Sequence, residues 1–487
     1  MEQSLYPQEG CVFMRKLKRL LAVCLMVAML PVGALCDSML LPQLEGWQLG
    51  VQPLQISMQV QAESVPEFDE NRLNQFNALL KHLTFSLQYQ ESASEQWGSV
   101  GVAVDGDKVL SLTVNETADR AYAQLSCVPD KTYASASGKD IGTWLLGGAE
   151  TAEVLSLDGL LSPWLDNGYA VFEKLPDALA EYTIEKSVKT KIGQMGTARV
   201  KQTVTIPADA AGTLSEKLSA LSNDAGIAAT LSNAVFSGKQ TITIFCDEDG
   251  QMLKVTYTGR CGADEDHLRK VNLTWMMKRT EKDVRDSISL KTPAVKGNDY
   301  NTLTFNRTEK ADEYGTVDLD ASLTHNSRID SKRTSVTAEA DLEAMLTAEG
   351  TRLSGEITRS LKENSGDTQW LILEPELVFA ADDLHMTGTM AVETRTEKRT
   401  ENRYLLSMEM TFGSYFEWLL HENMVDMDAI AAETSVRDEF TAAIAQALIR
   451  PLVLLPYEDT LYLSDGLEPD VWQSIVEKAR EAIQGGY

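Results

Sequence analysis

The side chains best suited to bind a partner are apolar and lie on alternating segments in the second half of the chain: Trp275, Met386, Met390, Met408, Met410 and Phe412. Methionine is pliable and polarizable, and aromatic rings add large rigid faces, so the set suits an irregular apolar ligand. Small residues on the same pattern, Ala338, Ala340, Gly355 and Gly388, leave room beside them. The same composition equally describes a solid interior in which helices sit close on a sheet and methionine fills the gaps.

Residues with covalent or metal chemistry are not arranged for it. There is no G-x-S-x-G, S-x-x-K, C-x-x-C, H-E-x-x-H, P-loop or G-x-G-x-x-G pattern. His421-Glu422 starts like a zinc-protease helix, but Val425 stands where the second histidine belongs. The five histidines, His82, His267, His325, His385 and His421, are scattered. Asp247-Glu248-Asp249-Gly250 lacks calcium-loop spacing and reads as a charged turn. No cofactor and no metal are implied. Paired carboxylates for glycoside hydrolysis are available in an acidic chain, but no pair stands out.

The elements that must position the apolar set read as strands. Val271, Leu273, Trp275 and Met277 share one face of an alternating segment, as do Val317, Leu319, Ala321 and Leu323. Residues 336–344, 384–392 and 406–412 repeat the pattern with charged or hydroxyl residues between. Such alternation marks an antiparallel sheet wet on one side, and polar turns without helix-length gaps make it a meander. Before it, residues 48–61, 85–89, 100–104, 109–114, 121–125 and 200–206 read as strands, with Asp105-Gly106 as a hairpin turn. Helices are expected at 66–82, at 149–181 in two pieces split by Pro163, and from Thr213, with Glu216 completing a capping box. A short strand is expected near Thr460–Leu463. The chain ends in a helix opened by Pro469, with Val471, Trp472, Ile475, Val476, Ala479 and Ile483 on one stripe.

Arg-Thr-Glu-Lys occurs three times, at Arg279–Lys282, Arg307–Lys310 and Arg395–Lys398. It reads as a charged strand end that discourages edge pairing.

The fold class is therefore α+β and β-dominated: a long antiparallel meander curved into a half-barrel, helices on its concave face, and a C-terminal helical segment. The divisions are a signal peptide over 1–36, a mixed part over 37–237, the meander over 238–414 and a helical segment over 415–487. Residues 37–487 are also compatible with one continuous domain.

Composition and leader bound the function. Arg15, Lys16, Lys18 and Arg19 precede an uncharged run from Leu20 to Leu30, then Pro31, Gly33 and Ala34. That is signal-peptide length, short of the roughly 20 residues that cross a bilayer. Cleavage after Ala34 or Cys36 and retention as an anchor both fit, and Leu35 before Cys36 disfavours lipidation. The formal charge is −28, which opposes nucleic acid and anionic headgroups. Beyond Cys36 only Cys127, Cys246 and Cys261 remain. An odd count is no disulfide framework, although a single pair is open.

The layout is similar to LolA/LppX-like envelope proteins, in which a curved antiparallel sheet and helices enclose a cavity for acyl chains. The similarity lies in export, the meander and the helical cover, over about residues 48–415, and carries no motif or site residue across. The chain also looks like exported proteins of Gram-positive bacteria. The leading expectation is a non-enzymatic, monomeric protein outside the cytoplasmic membrane that holds or shields a hydrophobic ligand such as a lipid. The alternatives are an envelope protein–protein interaction module and an unrecognised hydrolase.

Overall fold

The computed structural model describes residues 53–91, 95–117, 120–126, 132–135, 168–223, 225–262, 268–293, 299–329, 331–380, 385–397, 399–413, 424–426, 433–435, 438, 454–464 and 467–484. The expected signal peptide, Cys127, residues 149–167 of the helical stretch expected over 149–181, and most of the helical stretch after 415 lie outside these residues.

Strands dominate. The first six are β1 (Leu54–Ser64), β2 (Leu83–Glu91), β3 (Glu95–Val104), β4 (Asp107–Thr117), β5 (Ala121–Leu125) and β6 (Thr132–Ser135). Then come β7 (Thr183–Ile192), β8 (Gly196–Ile206), β9 (Val235–Phe236), β10 (Gln240–Cys246), β11 (Met252–Gly262), β12 (Arg269–Arg279), β13 (Asp283–Pro293) and β14 (Tyr300–Ala311). The rest are β15 (Thr316–Ile329), β16 (Lys332–Thr347), β17 (Gly350–Glu363), β18 (Gln369–Ala380), β19 (His385–Thr396), β20 (Arg399–Phe412) and β21 (Met424–Asp426).

All 21 belong to one sheet. From β10 to β20 each strand pairs antiparallel with the next, as expected of a meander. The N-terminal strands extend it on both flanks: β7 and β8 join at β10, while β1 pairs with β20 and leads into β2 to β6. Among the described residues no ladder joins β7 to β21, so the sheet is open. The edge strand β7 carries Lys186, Lys189 and Lys191 and has a register shift between Ser187 and Thr190. Charge and irregularity both blunt an edge against further pairing.

The two faces differ as the alternation requires. On the outer face a row of hydroxyls crosses neighbouring strands in register: Thr203, Thr243, Thr256, Thr274, Ser289, Thr304, Thr324, Thr337 and Ser360. β-Branched threonine fits a pleated, solvent-facing surface and packs well across strands. Arg403 clasps β1, β18 and β19 to β20 on that face through Glu63 (2.8 Å), Glu374 (2.6 Å) and Glu393 (3.1 Å).

On the inner face two cores form. The first joins β1, β2 and β15–β20 and is covered by α1 (Glu70–Leu80), capped by Asp69. Asn77 of α1 reads both backbone groups of Ala62 at 2.8 Å, where β1 shifts register against β20. The second core joins β8 and β10–β13 to α2 (residues 168–178), α3 (Leu214–Leu221) and α4 (Ala225–Asn233). Thr213 does not make the expected capping box. A 3-10 turn over Ala211–Thr213 runs straight into α3, and the Thr213 hydroxyl donates back to the Ala210 carbonyl.

Gly355 and Gly388 have a role other than making room. Their φ values are +140° and +155°, and a Cβ would run into the backbone carbonyl of Asp341 or Glu376 on the neighbouring strand. Glycine is needed there for close strand approach. Gly388→Ala is expected to cost about 2–3 kcal/mol from backbone strain and clash, read as a lower urea midpoint. An unchanged midpoint would show that the strand accommodates a side chain.

The C-terminal segment docks on the first core's flank. The expected strand at Thr460–Leu463 is instead part of a 3-10 helix, Tyr457–Ser464, followed by α5 (Pro469–Gln484). The Thr460 hydroxyl donates to the Tyr457 carbonyl (2.6 Å) and accepts the Trp472 indole N–H (3.1 Å), which ties the short helix to α5. Of the expected stripe, Trp472 and Val476 are buried while Val471 and Ile475 are exposed.

His82 pins this segment. Its Nδ1 lies 2.8 Å from Asp105 in the β3–β4 turn, and its Nε2 lies 2.8 Å from Asp459, which also meets Lys81 at 3.2 Å. A neutral imidazole has one donor, so only the imidazolium satisfies both carboxylates. Burial pulls the His82 pKa down, but the hydrogen bonds and charges of Asp105 and Asp459 raise it above 6.5 overall. Burial likewise pushes Asp459 up, but His82 and Lys81 hold it below 3.8. The His82 contribution is present below its unfolded pKa and is lost as pH rises through the raised folded value. The Asp459 contribution is lost as pH falls through its lowered value. His82→Gln is thus expected to cost about 2 kcal/mol near pH 5.5, with the gap to wild type closing as pH rises above 6.5. Urea midpoints across pH check this, and a pH-independent gap would exclude the charged clamp.

Candidate apolar-ligand site

Between the sheet and its helices lies a cavity of about 270 Å³. The floor is the inner face of β10–β14, with Ile242, Tyr257, Leu273, Trp275, Ile288 and Leu303 among its residues. The cover is Gly168, Val171 and Phe172 of α2, Leu214 and Leu218 of α3, and Leu231 of α4. The leucines of α3 stand one turn apart, so both reach the sheet. Phe172 meets Trp275 edge-on, with centroids 6.3 Å apart and planes at 71°.

The polar atoms at its wall are already engaged. The Tyr257 hydroxyl donates to Gln240 Oε1 at 2.7 Å. Gln240, fully buried, donates in turn to the carbonyls of Ser237 and Gly238. Burial, together with the neighbouring Cys261 thiol, pushes the Tyr257 phenol well above its ordinary pKa, so it remains a donor. The Trp275 indole N–H donates to Asp286 Oδ1 at 2.9 Å. An apolar-lined space of this kind accepts an uncharged apolar group.

Asp286 anchors a buried ionic cluster beside the cavity. It accepts from Arg279 (2.9 Å) and from Nε and a terminal nitrogen of Arg307 (3.2 and 3.0 Å). Arg307 also lies 3.5 Å from Glu309. The side chains of Asp286 and Glu309 are 0% exposed, and those of Arg307 and Arg279 are 5% and 15% exposed. All four project from the inner face. The row Met277–Asp286–Arg307–Ala321–Ala340 runs across five adjacent strands from the second core to the first.

The repeated tetrad therefore does not mark strand ends that discourage pairing. Arg307 lies inside β14, Arg279 ends β12, neither strand is an edge, and both arginines bind the carboxylate between them. Arg395, in the third copy, instead stacks its guanidinium over Trp370 at 5.5 Å.

Of the residues singled out from the sequence, Trp275 lines the cavity. Met386, Met390, Met408, Met410 and Phe412 lie in the first core, brought together by the registers of β19, β20 and β1 and packed with Leu54, Ile56 and Met58. The remaining cavity residues were missed because helix α2 and the leucines of α3 looked only like cover.

Other chemistry is limited among the described residues. Cys246 and Cys261 are free, so they form no bridge. Burial pushes the Cys246 thiol up to about 11 and raises Cys261, so neither is the thiolate a nucleophile requires. His325 is held below its ordinary pKa by burial. No group of three or more His, Cys, Asp or Glu is placed to hold a metal ion among the described residues. A depression of about 540 Å³ at Thr347, Arg352 and Glu376 is open to solvent and crossed by the exposed Arg352–Glu376 pair, so it encloses nothing.

Among the described residues no helix is long and apolar enough to cross a membrane, which says nothing of crossing by strands. No family pattern and no curated protein matches the chain. Solved structures that align include outer-membrane expressed OmpT of Vibrio cholerae (6% identity, 74% of this chain and 96% of that one, TM-score 0.27). Salmonella typhi OmpF in complex with daunomycin (8%, 74% and 96%, 0.16) and Pseudomonas aeruginosa OpdQ (7%, 74% and 95%, 0.16) also align. These are outer-membrane β-barrel proteins and not LolA-like carriers. The resemblance to LolA/LppX-like proteins, which rested on layout alone, is therefore withdrawn, and the Gram-positive type has no support. TM-scores this low carry no argument about activity. The class defined by the fold is an open, single-sheet β-protein, antiparallel except where β21 pairs parallel with β6, with an inner helical cover.

Removing Arg307 tests the cluster. Arg307→Met leaves two buried carboxylates short of a cation and is expected to cost about 3–5 kcal/mol. A denaturant titration monitored by tryptophan fluorescence measures it, and a loss under 1 kcal/mol would show that water reaches the site.

Proposed function

We propose that this is an exported, non-enzymatic protein that holds a small uncharged apolar ligand between its sheet and helices α2–α4. The observation that carries the reading is the cavity beside Trp275, whose polar wall atoms are already bonded within the protein. The leader-like sequence at residues 15–34 supports a site of action in the cell envelope or outside the cell. At about 270 Å³ the cavity lies just under the roughly 300–1,000 Å³ usual for drug-sized ligands. It thus suits one short acyl or ring moiety, and a two-chain lipid would have to leave most of its length outside.

The neutral dye N-phenyl-1-naphthylamine tests this. Saturable fluorescence enhancement with one site per chain is expected, weakened at least about tenfold in Leu218→Trp, which fills the space, at a cost near 1.4 kcal/mol. No saturable binding, or equal binding by the filled variant, would remove the reading.

A further inference from the structure

We propose that Asp286 is the positioning residue of this cavity: one buried carboxylate holds both its aromatic wall and the helix that covers it. The proposal rests on the apolar-ligand reading for its consequence, but its geometry stands independently.

The wall is held directly. Asp286 Oδ1 takes the Trp275 indole N–H at 2.9 Å, which removes the rotational freedom of a ring otherwise kept in place by packing alone. The cover is held at one remove. Oδ1 also takes Arg279 at 2.9 Å, and the Arg279 guanidinium lies over the Tyr169 ring of α2, 5.9 Å from its centroid. Next to Tyr169, Gly168 brings α2 against the indole: a Cβ there would stand 3.3 Å from Trp275 Cζ3. The indole, the guanidinium and residues 168–169 of α2 therefore meet around one carboxylate.

The other oxygen keeps that carboxylate in place. Oδ2 is occupied by Arg307 at 3.0 and 3.2 Å, and Arg307 is shared with Glu309. Asp286 is thus oriented from β14 through Oδ2, and its Oδ1 is presented to Trp275 and Arg279 of β12. A carboxylate has the acceptor capacity to serve all three donors at once, and an amide does not. An apolar residue at position 286 would pack but would orient neither the indole nor Arg279. The cavity is consequently formed before a ligand arrives.

The test reads the positioning without a ligand and then with one. In ¹⁵N-labelled protein the Trp275 indole N–H is assigned by its absence in Trp275→Phe. In Asp286→Asn its hydrogen exchange is expected to accelerate at least about tenfold. Amides of residues 172–178 should lose protection alongside it, while those of β18–β20 should not change. Arg279→Gln leaves Asp286 paired with Arg307 and serves if the first variant does not fold. It should speed exchange in α2 by about tenfold, consistent with loss of a desolvated cation–π contact. Both variants should release N-phenyl-1-naphthylamine faster than wild type. Unchanged exchange at Trp275 and in α2 in the folded variants would overturn the proposal, whether or not the dye binds. Accelerated exchange with no dye binding to wild type would keep the positioning role and remove the ligand reading instead.

Discussion

The inner face of this sheet depends on a charge placed where an apolar residue would ordinarily sit. Asp286 is in register with Met277 on one side and Arg307 on the other, fully inside the protein. A lone buried carboxylate is costly, so the neighbouring strands must supply its partners. Arg279 and Arg307 do, and Trp275 adds a third donor. The result is a polar seam between two apolar cores on one face. It interrupts a surface that would otherwise be one continuous greasy stripe, and it gives β12, β13 and β14 one alignment in which all its charges are met. A slip of one residue would send Asp286 to the outer face and leave the arginines inside without it.

The rest of the architecture follows from keeping so wide a sheet open. The outer face is built from hydroxyls and charges in register, and Arg403 bridges four strands there. The β7 edge is lysine-rich and irregular. Gly355 and Gly388 let neighbouring backbones approach closely rather than opening space. Among the described residues, α1 lies over the first core, α2, α3 and α4 lie over the second, and the C-terminal helices dock on the first core's flank. Over the second, where α2, α3 and α4 lie across several strands, the cover leaves a cavity.

Much of the fold was legible. Period-two alternation located the meander, turn residues located the hairpins at Asp105-Gly106 and Asp247–Gly250, and helical spacing located the helix expected at 66–82 and the one opened by Pro469. Local rules failed where a tertiary partner decided the outcome. Thr460 had strand-like neighbours, but its hydroxyl closes a 3-10 turn and receives Trp472. β7 went unread because its lysines mask the alternation of an edge strand. Asp286 was legible in principle: Val284, Ile288 and Leu290 have its parity, so a charge among them belongs to the inner face. What alternation does not convey is which strands stand beside it.

By itself, then, the sequence determined the strand period, the wet and dry faces, the acidity of the surface and the absence of recognisable catalytic motifs, because each of these depends on residue types at short spacing. Tertiary structure alone decided that β1 inserts next to β20, that the methionines of β19 and β20 pack into one core while Trp275 belongs to another, and that two copies of a repeated tetrad converge on one carboxylate. Those outcomes depend on register and strand order, which are fixed by the summed fit of whole faces and not by any one segment. The cavity belongs to the same class: it exists where three helices span strands they do not fully fill.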